Sequence, residues 1–266
     1  MKIHFIAGLT RSGSTLLAGI LKQNPAFVAG PTSPVLRIFQ SIEHSTSQEN
    51  DFACAISDEQ KLALRRAVFT SMYPQQDCVI FDKHHFWTSK MPILATLFPQ
   101  AKVICLVRNL AWIMDSWERV YQSSPLEMSA FFQFKTDTTV YMRCGKLGAP
   151  DGAVGRPFDG LKEAYYGAYR ERLHLVEYTQ LVTQPDKTLR ELYESIGEPF
   201  FAHDFDNVEM SFDQFDAQMG MPGLHLVGRK VKFTPRDTIL PPDLFNRYRD
   251  NNFWTSHNHD LAQEVA

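Results

Sequence analysis

The segment Gly8-Leu9-Thr10-Arg11-Ser12-Gly13-Ser14-Thr15 constrains this chain more than any other. It joins an apolar run, Ile3–Ala7, to a stretch in which Leu16, Leu17, Ile20 and Leu21 recur at the spacing of a core-facing helix, stopped by Pro25. Strand, Gly-rich loop and helix follow in that order. The two glycines then have the G-x-x-x-x-G spacing that lets backbone N–H groups wrap an anion, to which the helix N-terminus adds its positive end. The rest of the chain agrees with such a start. Short apolar runs without polar alternation occur at Cys78–Phe81, Val103–Val107 and Leu173–Val176. Helical stretches are expected at Asp58–Met72, Pro92–Phe98, Leu110–Tyr121 and Leu161–Arg172. Continuous apolar runs suit strands covered on both faces. The expected fold class is α/β, a doubly wound parallel sheet with a P-loop-like phosphate-binding strand-loop-helix.

The loop is not that of an ATPase. An NTP-binding loop would continue Gly-Lys-Thr, the lysine reaching the β- and γ-phosphates. Here that position is Ser14, and the basic residue, Arg11, stands three positions earlier. The run Val103–Val107 ends in Arg108, where a magnesium-handling enzyme would place an acidic residue. A donor with one phosphate on the cradle and a transferable group beside a cation fits better than ATP. Two rivals remain: a P-loop kinase acting on a small molecule, and a non-catalytic nucleotide-binding module.

Composition narrows the partners. A net charge of −3 over 266 residues argues against a bulk electrostatic grip on nucleic acid or on an acidic membrane, while leaving room for a local basic pocket. Cys54, Cys78, Cys105 and Cys144 lack metal-ligand spacing and secreted-scaffold density, so reduced thiols and a cytoplasmic location are expected. Arg11-Ser12-Gly13-Ser14 interrupts the first apolar run too early for a signal peptide, and no apolar stretch approaches the ~20 residues that span a bilayer. The chain reads as a single domain over 1–266. Within it, 123–160 is a helical insertion (Phe131, Phe132, Phe134, Tyr141) followed by a Gly/Pro-rich loop, Gly145–Gly160, a common place for an acceptor-binding lid. The tail after Met219, with its basic cluster Arg229-Lys230-Val231-Lys232, reads as mostly irregular.

Arg11-Ser12-Gly13-Ser14-Thr15-Leu16 resembles the 5′-phosphosulfate loop of the sulfotransferases that use PAPS (3′-phosphoadenosine 5′-phosphosulfate): a basic residue, Ser-Gly, then two hydroxyl residues. A second motif of that family, a strand followed by Arg-Asn/Asp and a serine eight residues after the arginine, is matched by Arg108-Asn109 and Ser116. The layout is most similar to the tyrosylprotein-type branch, and the similarity fades in 123–160 and in the tail. Ile113, Ser116, Trp117 and Val120 share one helical face, so the Ser116 hydroxyl needs a partner. That partner is either the carbonyl of Trp112, one turn back, or a 3′-phosphate shared with Arg108.

The resemblance also implies a base. Phe81-Asp82-Lys83-His84-His85 leaves a strand at the sheet edge where ligands bind, and cytosolic sulfotransferases carry Lys-x-His at this point. By that likeness His85 takes the acceptor proton and Lys83 steadies the leaving phosphate, with His84 the alternative base. The tyrosylprotein-type enzymes use a glutamate in the loop after the first helix, where this chain has Gly30-Pro31-Thr32-Ser33. Tyr178 matches the tyrosine that lies by the adenine, or else packs at the rim. Arg229 and Lys230 are candidates for the 3′-phosphate, or else belong to a solvated loop. His257 and His259 read as tail rather than as a metal pair, and no metal is expected. The resulting expectation is sulfuryl transfer from PAPS to a small-molecule or peptide acceptor, with adenosine 3′,5′-bisphosphate as product.

Overall fold

The computed structural model describes residues 1–47, 50–74, 77–123, 131 and 139–255. Its centre is a sheet of five parallel strands in the order β2-β3-β1-β4-β5. These are β1 (Lys2–Gly8), β2 (Phe27–Ala29), β3 (Val79–Lys83), β4 (Val103–Val107) and β5 (Leu173–Glu177). The helices are α1 (Ser14–Leu21), α2 (Val35–Ser45), α3 (Asp58–Met72), α4 (Met91–Leu97), α5 (Leu110–Ser123), α6 (Val140–Gly148), α7 (Gly155–Tyr166), α8 (Tyr178–Thr183), α9 (Pro185–Ile196), α10 (Asp213–Gln218) and α11 (Pro242–Arg249).

Alternation along the strands splits the core into two clusters, one on each face. Ile3, Phe5, Ile80, Val103 and Cys105 pack with Phe39 of α2, Phe69 of α3, Ile113 and Trp117 of α5 and Leu161 of α7. Ile6, Phe81, Ile104 and Leu106 pack with Leu17 and Leu21 of α1, Leu181 of α8 and Leu192 of α9. Helices on both faces make the sheet doubly wound, as the continuous apolar runs implied. β1 lies between β3 and β4, so the chain crosses over β1 on its way from β3 to β4. That topological switch opens a crevice at the C-terminal strand ends, above the Gly8–Thr15 loop.

Local chemistry fixes several boundaries. The α3 helix starts where a capping box lets Ser57 and Gln60 satisfy each other's backbone N–H groups. Helix α9 ends at Gly197, whose φ of 68° suits glycine. Two expectations need correction. The stretch Gly145–Gly160 is not a loop, because α6 and α7 occupy most of it, and the expected helix Leu161–Arg172 instead runs Gly155–Tyr166. Pro157 falls in the first turn of α7, where a missing N–H costs nothing, and Gly167 follows its end. The described tail after Met219 is mostly irregular, as expected, and folds back through the one α-helix α11, which opens with Pro242 in its first turn. Phe132, Phe134, His257 and His259 lie outside the described residues. Among the described residues no helix is long and apolar enough to cross a membrane.

Candidate functional site

The C-terminal ends of all five strands feed one cavity of about 780 Å³. β1 contributes the loop Thr10–Leu16, β2 Thr32, β3 His84 and His85, β4 Arg108, and β5 Tyr178. The loop is shaped by left-handed backbone: Gly8 has φ 108°, Arg11 φ 59° and Gly13 φ 95°. A Cβ on Gly8 would stand 2.2 Å from the Leu106 carbonyl oxygen, so only glycine lets the loop cross β4 this closely. Gly13 caps α1 without any side-chain bond, leaving first-turn N–H groups uncapped beside the cavity.

Guanidinium groups surround this cradle. The Nε of Arg11 donates to the Ser116 hydroxyl at 3.1 Å and its Nη1 to the Leu224 carbonyl at 2.5 Å. Among the described residues the partner of the Ser116 hydroxyl is thus Arg11 rather than the Trp112 carbonyl. Arg108 donates to the Arg11 carbonyl at 3.2 Å and lies 4.1 Å over the Tyr178 ring. Arg236 lines the same cavity, held by Asp115 at 2.8 Å. Arg11 and Arg108 have no carboxylate partner among the described residues. Burial, then Arg108 and Arg236, lower the Arg11 pKa to about 10, and burial does most of the lowering at Arg108. Cations crowded so that they depress one another stabilise an anion placed among them.

Asp115 is the buried post behind this arrangement. Its carboxylate accepts from Arg119, Arg236, Thr238 and the Ile239 N–H, fastening the tail across α5. Sequence reasoning missed Arg236 and Asp115. It placed Arg229 here instead, but Arg229 does not line the cavity; it is 75% exposed and pairs with Glu209. Lys230 lines the cavity while its ammonium pairs with Asp206. The Ser12 side chain turns away from the cavity. Its hydroxyl is fully buried and donates inward, to the carbonyls of Leu9 and Leu106, fastening the loop to β4. Gly13, Ser14, Thr15 and Leu16 line the cavity.

The end of β3 supplies the second pole. Lys83 is buried, donating to the Pro31 carbonyl and, at 3.2 Å, to the Thr15 hydroxyl. It meets the cradle through Thr15 from beneath rather than projecting into the cavity. Burial, reinforced by Arg11, lowers its pKa to about 7. The Gly30–Ser33 loop thus gives a carbonyl to Lys83, and Ser33 donates to Asp82 at 2.6 Å. Asp82 also accepts from Tyr73 and Trp87, so this carboxylate is saturated and structural.

The two adjacent histidines differ. The Nδ1 of His84 accepts from the Phe86 N–H at 3.3 Å, which puts the proton on Nε2. The Nδ1 of His85 lies 3.0 Å from the Gly8 carbonyl, which can only accept, so the lone pair of His85 is on Nε2. Burial, with Arg37 and Lys83 nearby, lowers the His84 pKa to about 4. Burial and Lys83 hold His85 well below the usual 6.5, so it is not the near-neutral imidazole the sequence suggested. A third imidazole, His225, went unnoticed in the sequence. It lines the cavity, and its Nδ1 meets the fully buried Asp216 at 2.5 Å.

The residues of 123–160 that line the cavity include Phe131, Lys146, Gly152, Ala153 and Arg156. Phe131 packs on Trp117 with ring centroids 4.7 Å apart, and Arg156 lies 4.3 Å over Phe86.

Comparison with known proteins gives a consistent picture. The profile described as "Sulfotransferase family" matches residues 4–202. The Nodulation protein NoeE of Sinorhizobium fredii is 25% identical over 215 residues, covering 73% of this chain and 50% of that protein. The chain thus spans about half the length of the curated relative it matches. Among solved structures, the sulfotransferase domain of the Synechococcus PCC 7002 olefin synthase superposes with a TM-score of 0.53 at 20% identity, covering 95% of this chain and 88% of that one. The sulfotransferase domain from the curacin biosynthetic pathway gives 0.56 at 17% identity, covering 94% and 91%. These two likenesses concern the fold.

Proposed function

The chain belongs to the sulfotransferase family, and we propose that it moves a sulfuryl group from PAPS to a hydroxyl or amine acceptor by in-line displacement, within one domain covering 1–266. The observation that carries the choice of donor is the set of guanidiniums gathered at an uncapped helix N-terminus, two of them without a carboxylate, where an ATPase loop would have a lysine. In this reading the 5′-phosphosulfate rests on the Gly13–Leu16 turn beside Arg11. The 3′-phosphate is shared by Arg108, Ser116 and Arg236, and the adenine lies by Tyr178. Charge developing on the bridging oxygen is met by Arg11, by N–H groups and by Lys83 acting through Thr15. The acceptor enters past the 123–160 segment, and His85 takes its proton at Nε2. The Nδ1 of His84 is engaged in a turn and its Nε2 holds the proton, which favours His85 for that role.

The test uses labelled PAPS with a panel of phenols, alcohols, amines and peptides. Transfer to at least one acceptor is expected. His85→Ala lowers kcat by about 10²–10⁴-fold with nucleotide affinity nearly unchanged, and His84→Ala does much less. Phosphorylation of an acceptor from ATP with magnesium, or PAPS left intact in every mixture, overturns the assignment.

A further inference from the structure

We propose that His225, seated on Asp216, is a second catalytic residue of this cavity: it holds the acceptor's proton once His85 has removed it. The inference rests on sulfuryl transfer as the reaction. Its basis is an asymmetry between two imidazoles that line the same space.

His85 is backed only by a neutral carbonyl, that of Gly8. Lys83 and His84 face it, and the charge state of His225 is felt there too. Among the described residues an imidazolium formed at His85 therefore has no carboxylate partner. His225 has one. Asp216 is fully buried, with Oδ1 2.5 Å from the His225 Nδ1, and Oδ2 accepts the His225 backbone N–H at 2.8 Å. Both carboxylate oxygens are thus spent on one residue, which fixes the ring and its tautomer: Nδ1 carries the proton and Nε2 the lone pair. Phe215 packs against the ring with centroids 5.6 Å apart, with Phe212 beyond it, confining the imidazole. A carboxylate that orients an imidazole and neutralises its protonated form is the arrangement that makes histidine an effective proton acceptor.

The segment is also tied to the reacting centre. The residue before His225, Leu224, accepts from the Arg11 guanidinium through its carbonyl; burial and the charges of Lys83 and Arg11 lower the His225 pKa, and Asp216 opposes them. A cavity this rich in cations disfavours further positive charge, and of the two imidazoles His225 alone has a carboxylate that opposes this. The step balances without an outside reagent. The acceptor O–H breaks and its oxygen bonds to sulfur. The bond from sulfur to the bridging oxygen breaks, its electron pair leaving with the phosphate. The proton goes to His85 and then to His225, where the His225–Asp216 pair becomes neutral overall.

The experiment compares wild type, His225→Ala, Asp216→Asn, His85→Ala and the His85/His225 double variant, with PAPS and an acceptor that wild type turns over. Affinity for adenosine 3′,5′-bisphosphate is measured in parallel. Expected are a fall in kcat of about 10²-fold for His225→Ala and a smaller fall for Asp216→Asn, with affinity retained. Added imidazole restores part of the lost rate to His225→Ala, and the double variant is no slower than the slower single, as for two groups on one proton path. Full turnover by His225→Ala overturns the inference. So does a slow His225→Ala that imidazole does not rescue, which marks a merely structural residue. Additive losses in the double variant overturn it as well. If wild type itself transfers nothing from PAPS, the underlying reaction is wrong, an outcome visible before any variant is made.

Discussion

Arg236 and Arg229 offer the sharpest contrast, because sequence and structure choose differently between them. Arg236 lines the cavity near Arg108 and Arg11, held in place by the buried Asp115. Arg229 faces solvent and pairs with Glu209, both side chains about 70% exposed or more. If Arg236 contributes one charge-assisted bond to the 3′-phosphate, its removal costs about 1.5–3 kcal/mol of binding, roughly ten- to 150-fold in Kd. The loss is confined to nucleotides carrying that phosphate. Arg236→Ala should therefore bind adenosine 3′,5′-bisphosphate that much more weakly and AMP almost as before, whereas Arg229→Ala should leave both unchanged. An exposed ion pair such as Arg229–Glu209 contributes at most about 1 kcal/mol to stability, so that variant also folds normally. In Arg236→Ala, Asp115 keeps Arg119, Thr238 and the Ile239 N–H, and the fold should survive. Calorimetric titration of both nucleotides into both variants decides the matter. Equal weakening for the two nucleotides, or a loss in Arg229→Ala alone, refutes the placement of the 3′-phosphate.

Two further outcomes follow from the loop and its neighbours. Ser12→Ala should cost about 1 kcal/mol of stability in urea unfolding and leave nucleotide affinity within twofold, since the hydroxyl faces the carbonyls of Leu9 and Leu106; a tenfold loss of affinity would put Ser12 back on the ligand. Lys83, with its pKa lowered to about 7 by burial and by Arg11, is mostly neutral at pH 8. A phosphate beside Thr15 favours the ammonium and raises that pKa toward its ordinary value. Binding adenosine 3′,5′-bisphosphate at pH 8 should therefore take up a proton, read from calorimetric enthalpies in buffers of different ionisation heat and absent in Lys83→Met. Proton release, or the same uptake in Lys83→Met, contradicts this.

The parts of the site that were legible are those set by local rules at strand ends. Gly8 and Gly13 announce the turn because left-handed backbone is cheap only for glycine, and Arg108 and Tyr178 follow their strands directly. There the direction of a side chain is fixed within two or three residues of an apolar run, so spacing alone locates it. Position in the loop was less informative about which groups face the ligand. Ser12 sits inside the motif yet points into the fold, because the backbone dihedrals on either side of it turn its hydroxyl toward β4.

The long-range parts that were not legible trace to the polar face of α5. Ala111, Asp115, Glu118 and Gln122 fall at helical spacing opposite the stripe of Ile113, Trp117 and Val120, a pattern that ordinarily means solvent. Here Asp115 and Glu118 are buried. Arg143 of α6 clasps Glu118 through two nitrogens, at 2.9 and 2.6 Å, while Arg236, Thr238 and Ile239 close over Asp115. Nothing within the helix distinguishes a carboxylate waiting for water from one waiting for an arginine over a hundred residues downstream. Yet a buried carboxylate is costly unless fully paired, so the tail that pairs Asp115 has its place on the fold dictated by that need. Arg236 is brought to the cradle as a consequence. The tail's route also runs through Leu224, whose carbonyl accepts from Arg11, and His225, which lines the cavity. The same docking therefore delivers a guanidinium to one end of the cavity and a carboxylate-backed imidazole to the other. Asp115→Asn, which weakens the docking without touching the cavity, should lower both nucleotide affinity and turnover, whereas a cavity built by the strand ends alone would lose neither.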